Sequence, residues 1–142
     1  APLTREEVEK ILKGDYAFLL YSPHSLCREF YIECACNMMR PRTIVDYERI
    51  PWILDAGTVR ITFDSDVRAA IGSYDIFDPG LPALSVLEPG KLILEVKFTE
   101  MLPQLLRDVL PPPAAEFTAV SKYVLCYEKT RYMNGFEYWY ET

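Results

Sequence analysis

Residues 42–49 read RTIVDYER, and they mark the point at which the spacing of apolar residues along the chain changes. Before this stretch, apolar residues recur about every four positions; within it, Val45, Tyr47 and Arg49 share one side of an extended chain and Asp46 falls on the other. A spacing near four is typical of helices and alternation is typical of strands. The sequence therefore predicts an N-terminal helical part followed by a sheet.

Two further stretches alternate in the same way. They are residues 58–64 (TVRITFD) and 91–98 (KLILEVKF), and the region between them is rich in Gly, Pro, Asp and Ser. Such a composition predicts turns, with one short strand near residues 84–87. Connections as short as DAG cannot cross over between parallel strands. We therefore predict an α+β fold in which three or four antiparallel strands are flanked by helices.

Helices are predicted on both sides of the strands. Thr4 and Glu7 have the spacing of a capping box, which predicts a helix that ends at Gly14. A second helix is expected to begin after Ser22 and to stop at Pro41.

Two C-terminal helices are predicted over residues 101–110 and about 117–132. Their apolar spacing predicts that Leu105 faces the core from the first, and that Tyr123 and Val124 do so from the second. The aromatic residues that follow, within 134–142, form a C-terminal tail that is either a binding platform or, more simply, a packed strand or lid.

The bulk composition limits the class of protein. A chain of 142 residues with half of them apolar fits one domain spanning 1–142, and a net charge of −6 argues against a general nucleic-acid coat. The sequence shows neither an apolar run long enough to insert into a membrane nor a signal peptide. Four cysteines, three of them crowded into one apolar segment, favour a reducing compartment, and a cytoplasmic location is expected.

The cysteine-rich segment permits two interpretations. His24 and the cysteines at 27, 34 and 36 could be read as zinc ligands, but the C-x-C spacing is tighter than usual and His24 is the only histidine. Small buried thiols are the simpler prediction. A lone histidine with no nucleophile motif also gives no basis for naming a covalent catalytic residue.

The polar sides of the strands also leave two interpretations open. In the first, they simply face water, as in many amphipathic sheets. In the second, the sheet curls so that Arg42, Arg60 and Lys97 converge on an anion while Glu95 binds a divalent cation. Guanidinium groups match phosphate oxygens, and a carboxylate supplies the hard oxygen that Mg²⁺ or Mn²⁺ prefers.

Several short strings, taken together and in order, resemble one family. They are RPRTIVDYER (40–49), VRITFD (59–64), ILEVKF (93–98) with LPQLLRDVL (102–110), and SKY (121–123). This order is similar to that of the VTC domain, the polyphosphate polymerase domain of the vacuolar transporter chaperone, and in particular to its bacterial relatives among the triphosphate tunnel metalloenzymes.

The resemblance implies an antiparallel β-barrel tunnel whose Arg and Lys side chains hold polyphosphate or an ATP-like anion and whose acidic residues bind Mn²⁺ or Mg²⁺. Polymerase-type members transfer the γ-phosphate of ATP to a growing polyphosphate chain. By position, Arg60 and Lys122 match phosphate ligands and Glu95 matches the metal ligand. Arg42 lies near another phosphate-binding arginine of the family, and Lys97 is included because it shares the side of Glu95.

The strings match the C-terminal half of the family's domain, so we expect about half of a tunnel-type barrel. Half a barrel leaves a free strand edge and predicts self-association through that edge. The functional hypothesis is part of a metal-dependent polyphosphate polymerase or triphosphate-processing domain. The alternatives are a non-catalytic oligoanion-binding module or an inert portion, so whether the chain is an enzyme stays open.

Overall fold

A computed structural model describes residues 1–55, 58–110, 112–113 and 115–133. Helices come first in the chain, the strands follow, and helices end the described part. The elements in chain order are α1 (Arg5–Leu12), a 3₁₀ helix (Ala17–Tyr21), α2 (Ser25–Cys36), β1 (Val45–Leu54), β2 (Val59–Ala70), β3 (Ala83–Ser85), β4 (Ile93–Lys97), α3 (Gln104–Val109) and α4 (Lys122–Thr130).

The sheet is antiparallel and β2 lies at its centre. β1 pairs along one edge of β2, while β3 and β4 pair along the other edge at opposite ends. The predicted α+β class with flanking helices is confirmed. The described strands form an open sheet and not a closed barrel, because four strands, one of them only three residues long, are too few to surround an interior.

The central strand continues beyond the point at which the sequence predicts turns. β2 runs through to Ala70, and the pairing with β1 shifts register between Asp46 and Glu48. Asp66 has a φ of 48° at this shift, the backbone signature of a β-bulge. The extra residue breaks strict alternation, which explains why the stretch does not read as a strand. The short strand predicted near 84–87 is confirmed as β3.

The N-terminal helices form the first of two apolar cores. The Thr4 hydroxyl oxygen accepts a hydrogen bond from the Glu7 N–H, and the Glu7 carboxylate accepts one from the Thr4 N–H. The predicted capping box at the start of α1 is therefore confirmed. The core residues are Ile11, Tyr16, Leu19, Cys27 and Cys34. All four cysteines of the chain are free thiols, and three are buried, which supports the prediction of small core residues.

The C-terminal helices pack differently from the prediction. Leu105 on α3 is exposed, and no residue of that helix is buried. α4 lies on the sheet through Cys126, which joins Val67 of β2 in the second core. Tyr123 and Val124 point outward instead, so the predicted apolar stripe is wrong. Cys126 is small, and it lets the helix approach β2 closely.

The aromatic residues within 134–142 lie outside the described residues. Among the described helices, none combines the length and apolar character that a membrane crossing requires.

Candidate functional site

One face of the sheet gathers the charged side chains of three strands. Residues paired across antiparallel strands share a face, and the pairs here are Arg49 with Asp64, Thr62 with Glu95, and Arg60 with Lys97. α4 covers one end of the same face. We call this surface the polar face, and it comprises Arg49, Arg60, Thr62, Asp64, Glu95, Lys97 and Lys122.

Asp64 is the buried centre of the polar face. Its side chain has no solvent exposure. Arg49 donates hydrogen bonds to both carboxylate oxygens, from Nε to Oδ1 at 2.6 Å and from Nη2 to Oδ2 at 2.7 Å. The Lys122 ammonium lies 2.6 Å from Oδ2. A buried carboxylate needs such partners because isolation from water would otherwise destabilise its charged form. One carboxylate thus orients two cations from different elements.

The pKa values follow from this geometry. The hydrogen bonds from Arg49, assisted by Lys122, lower the pKa of Asp64 to about 2 although burial acts in the opposite direction. The same bond raises the pKa of Arg49. Both groups are therefore fully charged near neutral pH.

The start of α4 positions Lys122 next to Asp64. Ser121 is the N-cap of α4 and accepts a hydrogen bond from the Val124 N–H, so Lys122 begins the helix. Cys126, one turn further on, donates from Sγ to the Arg68 carbonyl oxygen at 3.5 Å. The helix is thereby fixed on β2 with its first residue above Asp64.

The aromatic ring of Tyr47 lies close to both cations. The Arg49 guanidinium lies 5.1 Å from its ring centroid and the Lys122 ammonium lies 5.3 Å away. The negative face of an aromatic ring attracts cations at such distances. This contact helps to hold both charges over the same part of the sheet.

The second half of the polar face lies along β4. Lys97 and Glu95 form an ion pair at 2.9 Å, and this bond lowers the pKa of Glu95. Thr62, opposite Glu95, is buried, and its hydroxyl has no hydrogen-bond partner among the described residues. A buried hydroxyl without a partner is uncommon in folded proteins and leaves hydrogen-bonding capacity next to the carboxylate.

The low pKa of Asp64 predicts acid sensitivity. Its folded pKa lies below the ordinary value of 3.8, so the ionised group stabilises the fold above about pH 4 and loses that effect as the pH falls towards 2. We expect the free energy of unfolding to fall by about 2 kcal/mol across this window. Urea unfolding at a series of pH values measures it, and a flat profile between pH 5 and pH 2 would contradict the assigned pairing.

The structure brings most of the residues predicted from the sequence onto one surface. Arg60, Glu95, Lys97 and Lys122 all belong to the polar face. Arg42 does not: it precedes β1, and its carbonyl oxygen accepts a hydrogen bond from the Tyr74 hydroxyl at 3.2 Å. Their roles as phosphate or metal ligands stay predictions.

Three members of the polar face, Arg49, Thr62 and Asp64, were missed by the sequence prediction. Arg49 and Asp64 are separated by fifteen residues in the chain, yet they form a tight network with Lys122. Alternation already placed Arg49 on the side of Tyr47, and Asp64 on the side of Arg60. The sequence does not reveal how β1 is aligned with β2. This strand register places Arg49 directly opposite Asp64.

Comparison with known families identifies the domain. A family model described as the VTC domain matches residues 1–131. The chain belongs to the VTC domain family. The match spans the whole polar face of this VTC domain, and it confirms the resemblance read from the short strings. No significant match was found among curated proteins or among solved structures.

The VTC family implies a divalent cation, and the polar face offers a partial set of ligands for one. Among the described residues, no cluster of three or more His, Cys, Asp or Glu side chains could hold a metal ion. Mg²⁺ is often held by one or two carboxylates while water and substrate phosphates complete its shell. Glu95, with the Thr62 hydroxyl opposite it, fits that role better than a closed protein cage.

Proposed function

We propose that the polar face of this VTC domain binds a linear oligoanion, either polyphosphate or a nucleoside triphosphate, in a metal-dependent phosphotransferase reaction. The observation that supports this most directly is the arrangement of four cationic side chains along one face. Only two carboxylates accompany them in the polar face as defined above, although the chain as a whole carries a net charge of −6. Positive charge is concentrated there on an otherwise acidic molecule.

The spacing of these cations suits an extended anion. Arg60 and Asp64 are four residues apart on β2, which corresponds to about 13 Å along a strand. Arg49 and Lys122 therefore lie at one end of the face, and Arg60 with Lys97 at the other. A single phosphate cannot reach both ends, whereas a chain of phosphates can.

Arg49 keeps donors available for such a ligand. Asp64 occupies Nε and one N–H of Nη2, so the outer N–H groups of the guanidinium are not used by that carboxylate. The Arg49 side chain is 35% exposed. Asp64 thus orients the guanidinium, and a phosphate oxygen can accept from its outer edge.

Glu95 would hold Mg²⁺ or Mn²⁺ between the two cationic ends. When bound, the metal supplies charge neutralisation for phosphate oxygens. The protein's own side chains bind and align the oligoanion, which is the main contribution that a protein makes to phosphoryl transfer. The expected activity, transfer of the γ-phosphate of ATP to polyphosphate, rests on the family.

Calorimetric titration with tripolyphosphate tests the binding step. Arg60→Ala and Lys122→Ala each remove a charged hydrogen-bond donor, so each is expected to weaken the affinity by about tenfold or more. Arg107→Ala and Lys129→Ala remove the same residue types from helical positions outside the face, and they serve as matched controls. Equal losses in all four variants would show non-specific charge attraction and would contradict the site.

The catalytic step needs its own measurement. Incubation with ATP and Mn²⁺ is expected to yield polyphosphate, which is separated by gel electrophoresis. Binding of tripolyphosphate without polyphosphate or released phosphate would contradict the catalytic part alone. One contact favours a second candidate function, that of a non-catalytic oligoanion-binding module. The Lys97 ammonium forms an ion pair with the Glu95 carboxylate at 2.9 Å, so it competes with a metal ion for that carboxylate.

A further inference from the structure

Lys97 already has an anionic partner on its own strand. Its Nζ forms an ion pair with Glu95 Oε1 at 2.9 Å, while the strand register places Lys97 directly opposite Arg60. Like charges directly across two strands are destabilising, so this pair of cations favours an anion close by. On the basis of the proposed function, we infer that Glu95 holds Lys97 in the place of a ligand phosphate, and that a divalent cation bound at Glu95 releases Lys97 to the oligoanion.

The two cationic ends of the polar face differ in how firmly their ion pairs are held. Asp64 is fully buried, and Arg49 donates to both of its oxygens while Lys122 contacts Oδ2. The side chains of Lys97 and Glu95 are 57% and 36% exposed. An exposed ion pair contributes little, because water screens both charges and the long side chains lose freedom when they pair. The Glu95 pair can therefore open readily, whereas the Asp64 network stays closed.

The lysine side chain suits an exchange of partners. Its ammonium is a point charge with three donors on a flexible four-carbon stem, so it can turn from one oxygen to another without a change in the backbone. A phosphate oxygen bound by Arg60 on the neighbouring strand is within reach of Lys97, because residues directly opposite have Cβ atoms about 5 Å apart. The oligoanion can thus replace Glu95 as the partner of Lys97.

Glu95 can exchange its partner as well. Its carboxylate supplies the hard oxygen that Mg²⁺ or Mn²⁺ prefers, and Thr62 lies opposite it on β2. A divalent charge at these oxygens repels the Lys97 ammonium, and an oligoanion that draws Lys97 away leaves Glu95 open to the cation. Because coupling between two ligands is reciprocal, each then favours the binding of the other.

Titration calorimetry with tripolyphosphate in metal-free buffer tests the exchange on the full chain. Glu95→Gln removes the competing carboxylate and frees Lys97, so the tripolyphosphate affinity is expected to rise about fivefold, the upper limit for an exposed pair. The same substitution in a Lys97→Met background removes only one negative charge, and a rise of about twofold or less is expected. Equal rises in the two backgrounds would show that charge alone accounts for the change, and they would overturn the inference.

Glu88→Gln is the matched control for this titration. Glu88 pairs with Lys91 at 2.7 Å outside the polar face, and the substitution changes the net charge by the same amount. Its tripolyphosphate affinity is expected to stay within about twofold of the wild type. A rise equal to that of Glu95→Gln would assign the effect to net charge and overturn the inference. Absence of binding in the wild type and in every variant would refute the proposed function and the exchange together, whereas binding with equal rises refutes the exchange alone.

Mn²⁺ without phosphate tests the other half of the exchange. Electron paramagnetic resonance of the free ion measures how much Mn²⁺ the chain binds, and circular dichroism checks that each variant is folded. Lys97→Met removes the competitor for Glu95, so the Mn²⁺ affinity is expected to rise about fivefold. Lys91→Met removes the same charge just before β4, and a change of less than about twofold is expected. An unchanged affinity in Lys97→Met, or Mn²⁺ binding that survives Glu95→Gln, would overturn the inference.

Discussion

Replacing Asp64 with asparagine is expected to lower the free energy of unfolding by about 3 kcal/mol, the lower part of the range for breaking a buried ion pair. The asparagine side chain would retain an acceptor but not the negative charge that Arg49 and Lys122 share. The two cations would then repel each other over the same part of the sheet. Urea unfolding followed by circular dichroism measures the change.

Asp46→Asn provides the control for this prediction. Asp46 also pairs with an arginine, Arg68, across the same two strands, but its side chain is 52% exposed. Exposed ion pairs contribute about 0 to 1 kcal/mol, so the control should stay close to the wild type. Similar losses in the two variants would mean that burial of Asp64 does not set the strength of its network.

The sequence predicted the order and class of elements because local spacing determines them. The alternation around Val45 and around Val59 indicated two strands, and Thr4 with Glu7 indicated the start of the first helix. Each of these signals depends on neighbours within a few residues. The extension of β2 escaped prediction because the bulge at Asp66 reverses the side on which later residues fall.

The site was only partly predictable for a related reason. Glu95 and Lys97 are two residues apart on one strand, so their pairing can be read from the sequence. The Arg49, Asp64 and Lys122 network joins three elements, and it depends on strand register and on where α4 packs. Buried residues of α4 decide where it packs, and they are the small Cys126 and Thr130, whereas its larger apolar residues stay outside. Spacing alone favours the larger residues.

The same three side chains, Arg49, Asp64 and Lys122, contribute to the stability of the fold and to the proposed oligoanion site. Asp64 draws Arg49 and Lys122 together, and the face gains two oriented cations at the end of the proposed oligoanion site. A buried ion network need not raise stability above that of a well-packed apolar one. Its presence at this position is therefore better explained by what it orients than by the stability that it contributes.

A triple variant separates these two roles. Arg49→Met, Asp64→Leu and Lys122→Met together replace the network with apolar side chains of similar length. We expect the free energy of unfolding to exceed that of Asp64→Asn and to approach the wild-type value, because no buried charge is left without a partner. We expect tripolyphosphate affinity to fall at least about 100-fold, since two charged donors are lost.

The control must match the change in charge, because the triple variant is one unit more negative than the wild type. Lys129→Met changes the net charge equally on the same helix, and it should leave both stability and tripolyphosphate affinity close to the wild type. Undiminished affinity in the triple variant would remove this network from the oligoanion site. Failure of that variant to fold would instead show that the ions themselves are needed to hold α4 on the sheet. Only the combination of restored stability with lost affinity fits a network that exists to orient cations for a ligand.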